Sequence, residues 1–310
     1  MRFKNIIKPV AFVGIFLIIL GSLSPFFRQV ISKKAIEIEP QNTIDYLIIG
    51  DSEATTSISP MEIWNKHGFT GYNLGAPAQR LQETYYSLKN ALKNQKPQVV
   101  LLETNATCRA FGVNGEINKL FGSIFKNNFE VYKNHNKWKE FNSQNDSEKS
   151  KRIRTNILRG FRYDEKIEPY TKGPYVKETD AVEKIPKVPM YYLNKIVELC
   201  KENDIQLILY TVPSPVNWNY KRYNGIKDFA ERNKLPFLDL NLKTEELGID
   251  WAKDTYDKGD HLNFFGAQKL TSYIGNYLSE NSKLIDHRED EKYSFWNDIW
   301  KKYLKITNKN

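Results

Sequence analysis

Two residues whose side chains could together carry out acyl-transfer chemistry lie far apart in this sequence. Ser52 ends the segment Tyr46 to Ser52, a short apolar run rich in Ile that closes on Gly-Asp-Ser. His261 lies in a polar loop directly before a predicted helix. A serine hydroxyl is a weak nucleophile until a base takes its proton, and an imidazole held by a carboxylate is the usual base at neutral pH. Asp257 or Asp260 could be that carboxylate.

Attack on a carbonyl creates an oxyanion, which requires hydrogen-bond donors. Gly75 lies in an Asn-Leu-Gly turn after the second predicted strand, and Asn105 follows the third. The candidate donors are therefore the backbone N–H groups of Ser52 and Gly75 and the side-chain amide of Asn105. Taken alone, Asp51 and Ser52 would fit an ordinary turn or helix cap equally well.

Short apolar segments alternate with helical patterns over most of the chain. A polar turn is predicted between Ser52 and a helix that begins near Ser59 and ends at Gly68, and a last helix follows Asn263. Short strands separated by helices of about ten to fifteen residues form a parallel sheet with helices on both faces. The sequence therefore predicts an α/β fold in which the carboxyl ends of the strands bring Ser52 and His261 to one edge. The strands are predicted at residues 45–50, 70–74, 99–102, 206–212 and 236–240.

The N-terminal segment is a candidate membrane anchor. Positive residues precede an uncharged run from Pro9 to Phe27, which as a helix would be roughly 28 Å long, close to the hydrocarbon thickness of a bilayer. The positive-inside rule then puts the N-terminus in the cytoplasm. We predict an uncleaved signal anchor or transmembrane helix over residues 1–30, a linker over 31–43, and a catalytic domain over 44–280 on the extracellular face of the cell membrane. A cleaved signal peptide and a buried core helix are the alternatives.

Two stretches fall outside the alternating pattern. Residues 106–187 are rich in Lys, Asn and aromatic side chains and are predicted to form a largely helical insertion over the ligand face, as a lid or platform, or else a loop. Residues 281–310 are predicted to form an amphipathic tail, which would pack on its own domain or lie at a lipid interface. The apolar face of this tail is formed by Trp296, Ile299, Trp300, Tyr303 and Leu304.

Composition excludes several classes of function. The net charge is +9, from 46 Lys and Arg against 37 Asp and Glu, and because the two signs are interleaved we expect a solvated surface and no nucleic-acid partner. Cys108 and Cys200 form neither a disulfide framework nor a metal site. We expect no metal and no cofactor, because there is no cysteine cluster and no Gly-rich fingerprint after the first strand. His67, His135 and His287 are predicted to lie at the surface.

These residues together resemble the SGNH (GDSL) hydrolases. Gly50-Asp51-Ser52, Gly75, Asn105 and His261, the last followed by Leu-Asn, match the four sequence blocks of that family in their order, across about residues 44–280. The resemblance implies a flavodoxin-like three-layer α/β/α fold and serine ester chemistry. It also implies that Ser52 is the nucleophile, His261 the base, and Gly75 and Asn105 oxyanion donors.

Two positions depart from the family pattern. The acid of the family stands three residues before the histidine, where this chain has Lys258, so the acid would be Asp257 or, failing that, Asp260. The third block reads Glu103-Thr104-Asn105-Ala106 instead of Gly-x-Asn-Asp.

With the predicted anchor, the chain is similar to the branch of this family that attaches or removes acyl groups on cell-surface polysaccharides and teichoic acids. The resemblance implies a membrane-anchored, outward-facing serine esterase or O-acyltransferase acting on acyl esters, chiefly acetyl, of cell-envelope polysaccharide. The implied partners are an acylated glycan or teichoic-acid-like polymer and a membrane-bound acyltransferase. The alternatives are an inactive surface protein of the same fold, which would bind glycan or a membrane acyltransferase, and a lipase.

Overall fold

The computed structural model describes residues 39–109 and 153–307, together with positions 11, 12, 14–16, 19 and 36. The chain divides into two compact units, one made of residues 1–34 and 111–150 and the other of residues 35–110 and 151–310. The second unit carries the fold described below. Residues 110–152 of the predicted insertion, His135 among them, and most of the predicted anchor lie outside the described residues. No helix within the described ranges has the length and apolar character needed to cross a membrane.

The sheet has five strands: β1 Tyr46–Ile49, β2 Gly71–Asn73, β3 Val99–Glu103, β4 Gln206–Thr211 and β5 Phe237–Asp239. Their order in the sheet is β2-β1-β3-β4-β5, and every neighbouring pair is parallel. This is the doubly wound order of flavodoxin-like folds, whose topological switch point lies between β1 and β3. The predicted α/β fold and all of its strands are confirmed to within one residue at each end.

Helices connect the strands, and the first of them differs from the prediction. A six-residue helix begins at Ser52, where a polar turn was predicted. So short a helix shows no hydrophobic period, but Asp51 caps it by accepting a hydrogen bond from the Glu53 N–H at 2.9 Å. The helices are α1 Ser52–Ser57, α2 Pro60–His67, α3 Leu81–Ala91, α4 Lys187–Glu202, α5 Tyr220–Asn233, α6 Phe264–Asn281 and α7 Phe295–Ile306.

The core lies on both sides of the sheet. Tyr46, Ile48, Leu101 and Ile208 are buried in one apolar cluster, which also contains Leu270 and other residues of α1, α2 and α6. The residues between them on each strand face the other way, and right-handed crossovers put α3, α4 and α5 on that side. Because both faces are covered, the strands are continuously apolar instead of alternating.

The C-terminal tail packs on its own domain. Trp296 of α7 is fully buried, with its ring 5.4 Å from that of Trp64. The Arg159 guanidinium lies 4.2 Å from the centre of the Trp296 ring. Tyr303 is also buried and donates a hydrogen bond to Glu62 at 3.0 Å. The amphipathic face predicted from the sequence is thus directed, at these two positions, onto the protein.

One histidine prediction is wrong. His287 is only 7% exposed: its Nε2 lies 3.1 Å from Oδ1 of Asp45, and its ring stacks on Tyr293 with centroids 4.0 Å apart. Its charged sequence surroundings predicted a surface position. They could not reveal a carboxylate partner that is 242 residues away in the chain.

The described part of the insertion is mostly not helical. Residues 153–157 are helical, but 161–186 have no regular secondary structure, so the prediction of a largely helical insertion is wrong there. We call residues 161–175 the strap, because their backbone pairs with the loop that carries His261. Glu168 donates its N–H to Thr255 O and accepts from the Lys258 N–H, both at 3.0 Å. The strap therefore supports the histidine loop along its length.

Candidate active site

The structure brings Ser52, His261 and Asp257 into one hydrogen-bonded line. Ser52 is the first residue of α1 and directly follows the turn after β1. Its Oγ lies 2.8 Å from Nε2 of His261, which is 209 residues away in the chain. The other ring nitrogen, Nδ1, lies 2.7 Å from Oδ2 of Asp257. In the neutral tautomer that suits this line, Nδ1–H donates to Asp257 and Nε2 accepts from the Ser52 hydroxyl, which is the arrangement of a Ser-His-Asp triad.

Asp257, not Asp260, is the acid that contacts the imidazole. Oδ1 of Asp257 also accepts the backbone N–H of His261 at 2.7 Å, so this carboxylate holds both the loop and the ring. Oδ2 of Asp260 lies 3.8 Å from Nδ1, which is too long for a hydrogen bond. The extra residue relative to the family spacing is accommodated by a curl in the loop, because Lys258 and Gly259 have φ values of 62° and 89°.

An aromatic ring covers one face of the imidazole. The Tyr256 ring lies 5.5 Å from that of His261, and the two planes differ by 11°. The Arg162 guanidinium, which belongs to the strap, lies 4.9 Å from the centre of the Tyr256 ring. This stack limits rotation of the imidazole out of line with Ser52. Sequence reasoning missed Tyr256, and its place next to Asp257 in the histidine loop was the available signal.

The predicted oxyanion donors flank the turn that carries Ser52. Asn105 donates its side-chain N–H to Asp51 Oδ2 at 3.1 Å, and an amide NH₂ has a second hydrogen to offer. Gly75 donates its backbone N–H to Asn73 Oδ1 at 3.0 Å. A Cβ at Gly75 would lie 3.0 Å from the Asp51 carbonyl oxygen, so a larger residue would fit there only if this neighbour moved by a few tenths of an ångström. The donor roles of Gly75 and Asn105 stay predictions, as does that of Ser52, whose N–H is among those without an intrahelical acceptor.

A layer of buried acids lies next to Ser52 in the fold. Asp51, Glu53 and Glu103 are all at most 1% exposed. Burial, reinforced by the charge of Asp51, raises the pKa of Glu53 and of Glu103 well above the ordinary value. The charge of Asp51 is paired with Arg109, whose Nη2 lies 2.8 Å from Oδ2. Sequence reasoning missed Glu53 and Glu103, because an acid beside a strand end resembles a cap.

Within the described ranges, the carboxylates and imidazole close enough to share a metal ion are those of Asp257, Asp260 and His261. Two of the three are the acid and base of the triad. Nδ1 of His261 and Oδ2 of Asp257 contact each other at 2.7 Å. A metal ion bound to these atoms would replace the hydrogen bond between them. We therefore assign this group to the triad.

A doubly wound sheet with a Ser-His-Asp line after β1 defines a site of the serine-hydrolase type. No family model matches the chain, and no curated protein matches it by sequence. Solved structures do match. A protein assigned to the G-D-S-L lipolytic family from Desulfitobacterium hafniense has 14% identity and a TM-score of 0.42, covering 76% of this chain and 99% of that one. A protein assigned as an acylhydrolase from Bacteroides fragilis has 15% identity and a TM-score of 0.39, covering 84% of this chain and 97% of that one.

An esterase from Pseudoalteromonas sp. has 12% identity and a TM-score of 0.40, covering 76% of this chain and 96% of that one. The first of these three structures carries the name, G-D-S-L, of the family that the sequence motifs resemble. At such low identity, the geometry of the site is what bears on function.

Proposed function

We propose that this protein is an SGNH-type serine esterase that works through an acyl-Ser52 intermediate. The observation that carries the proposal is the line from Ser52 Oγ to His261 Nε2 at 2.8 Å and from His261 Nδ1 to Asp257 Oδ2 at 2.7 Å. The alternative of an inactive protein rested on the unusual acid spacing. The contact of Asp257 with the imidazole supports the active protein over that alternative.

The chemistry follows from the positions of the atoms. His261 Nε2 takes the proton of Ser52 Oγ as that oxygen attacks the ester carbonyl, and Asp257 stabilises the imidazolium that forms. The tetrahedral intermediate then expels the alcohol, which takes the proton from Nε2, and leaves the acyl group on Ser52. Water or a second hydroxyl then gives its proton to Nε2 as its oxygen attacks the acyl carbon. The second tetrahedral intermediate breaks its bond to Ser52 Oγ, which takes that proton back from Nε2. Hydrolysis results in the first case and acyl transfer in the second.

The finer proposal concerns the substrate. We propose acyl esters, chiefly acetyl, of a cell-envelope polysaccharide or a teichoic-acid-like polymer, with hydrolysis or transfer as the outcome and a membrane-bound acyltransferase as a candidate partner. The support is the predicted anchor ahead of the catalytic domain, which would hold the site at the outer face of the membrane.

Replacement of the nucleophile tests both levels of the proposal. Ser52→Ala should lower the hydrolysis of p-nitrophenyl acetate at least about 1,000-fold and abolish labelling by a fluorophosphonate probe. The matched control is Ser294→Ala, since Ser294 is exposed and makes no side-chain capping bond. Acetyl content of envelope polysaccharide, measured in cells that carry each variant, tests the substrate. Equal hydrolysis by wild type and Ser52→Ala would refute the enzyme proposal.

A further inference from the structure

Asn217 connects the segment that carries Ser52 with the segment that carries His261, although it belongs to none of the sequence motifs. It lies in the loop between β4 and α5. Its side-chain Nδ2 donates to Glu53 Oε1 at 2.7 Å and also to Oδ1 of Asp260. One amide nitrogen carries two hydrogens, so each carboxyl group receives one. Glu53 follows the nucleophile directly and Asp260 directly precedes the base, so this one amide links the neighbours of Ser52 and His261.

Asn217 is itself held on two sides. Its backbone N–H donates to Ser214 Oγ at 3.1 Å, and its carbonyl oxygen accepts from Arg222 Nη1 at 2.5 Å. Ser214 Oγ in turn donates to the backbone carbonyl of Asp260 at 2.9 Å. The loop after β4 therefore holds the histidine loop through both a side chain and a backbone atom of Asp260.

The chemistry of the two carboxyl groups suits a neutral donor between them. Burial raises the pKa of Glu53, and the charges of Asp51 and Asp260 raise it further, so a donor that carries no charge of its own suits this carboxyl group. A carboxylate at position 217 would put a third acidic group between Glu53 and Asp260 and would leave both without a donor. An amide satisfies both at once, and a buried carboxyl that loses its donor is costly.

We propose that Asn217 is a positioning residue that sets the distance between Ser52 and His261 through Glu53 and Asp260. The inference rests on the proposed function, since it assigns a role within the same triad. The nucleophile and base lie on separate segments with a hydrogen bond of 2.8 Å between them. Misplacement of reacting groups by about 1 Å can cost about 100-fold in rate, so a link between the two segments affects kcat.

Asn217 also lines a pocket together with Glu53 and Asn105, so a direct contact with substrate must be distinguished from positioning. A positioning role changes kcat and leaves KM, whereas loss of a substrate contact made equally in the ground state and the transition state raises KM. The measurement is therefore the separate determination of kcat and KM with p-nitrophenyl acetate.

The variants are Asn217→Ala, Asn217→Asp and Asn217→Ser, with Asn224→Ala as the matched control. Asn224 also donates from its side chain to two backbone carbonyls, those of Thr179 and Ala181, but these are not part of the triad. We expect kcat to fall about 10- to 100-fold in the Ala and Asp variants with KM within about twofold. The Ser variant, with one donor, should recover part of the loss. If Asn217→Ala does not fold, Asn217→Asp, whose side chain has nearly the same shape as asparagine, is measured in its place.

The outcomes separate the inference from the function it rests on. If wild type is active and Ser52→Ala is not, but a folded Asn217 variant keeps kcat within about twofold or changes only KM, the inference alone is overturned. It is also overturned if Asn224→Ala loses as much kcat, or if Asn217→Ser recovers nothing. If wild type is no more active than Ser52→Ala, the proposed function fails and the role of Asn217 fails with it.

Discussion

The loop from Asp257 to His261 explains how a chain with an altered acid spacing still forms a triad. Asp257 accepts two hydrogen bonds from the same histidine, one from its backbone N–H and one from Nδ1, both at 2.7 Å. Two consecutive residues with positive φ, Lys258 and Gly259, turn the chain back so that this is possible. Glycine adopts that conformation at no steric cost, whereas lysine is strained in it.

The two acids of this loop should behave very differently on mutation. Asp257→Asn removes the carboxylate that orients and stabilises the imidazolium, so we expect kcat for p-nitrophenyl acetate to fall about 1,000- to 10,000-fold. Asp260→Asn keeps an oxygen for Asn217 and removes a charge that does not contact the ring. We expect kcat of Asp260→Asn to fall by less than about tenfold. A loss for Asp260→Asn as large as that for Asp257→Asn would mean that Asp260 is the acid of the working enzyme.

The site residues that could be predicted from the sequence are those whose side chain is chemically reactive and whose local position is recognisable. Ser52 and His261 both follow predicted strands or precede predicted helices, and only one histidine lies in such a loop. Asn217 and Glu53 could not be predicted in this way, because their role depends on the contact between them across 164 residues of chain. The polar loop that follows β4, at the edge where Ser52 lies, was the available signal.

At the scale of elements, the strap is what distinguishes this histidine loop from a free surface loop. Glu168 pairs with both Thr255 and Lys258 through its backbone, much as a short extra strand would. The strap was not predicted as an extended segment, because its backbone partners lie about 90 residues further along the chain and its own sequence lacks a period. Strands buried on both faces, in contrast, can be predicted because their sequences are continuous apolar runs.

Removal of a single backbone donor tests the support that the strap gives. Glu168→Pro eliminates the N–H that donates to Thr255 O at 3.0 Å, whereas Glu168→Ala keeps it and removes only an exposed ion pair with Lys166. We expect faster amide hydrogen exchange over residues 255–261 and a severalfold lower kcat in the proline variant alone. Equal exchange in the two variants would show that the strap merely lies beside the loop.

At the scale of the whole molecule, a buried carboxyl group links stability to pH. Asp239 ends β5, and its Oδ2 accepts a hydrogen bond from Trp218 Nε1 at 2.8 Å. Burial raises the pKa of Asp239 from 3.8 to about 6. The folded protein therefore holds a proton between these pH values that the unfolded chain has released, and the free energy of unfolding falls as the pH rises through this window.

The size of this effect is about 3 kcal/mol, at 1.36 kcal/mol per unit of pKa. Asp239→Asn cannot titrate, so wild type should lose about this much stability relative to the variant between about pH 4 and pH 7. Urea unfolding of both proteins at several pH values gives the difference. A difference that does not change across the window would show that Asp239 has an ordinary pKa in the folded state.

The hydrogen bonds that Asp257 makes to one histidine have a consequence for how proteins with such a site are found by sequence. The chemistry requires a carboxylate in hydrogen-bond contact with an imidazole, here at 2.7 Å. A fixed number of residues between the aspartate and the histidine is only one way of achieving that contact. A motif that requires three residues between the acid and the histidine, with glycine as the second of the three, would select loops that curl as this one does. Such a motif would find hydrolases whose aspartate lies one residue further from the histidine in the sequence but whose carboxylate still contacts the imidazole.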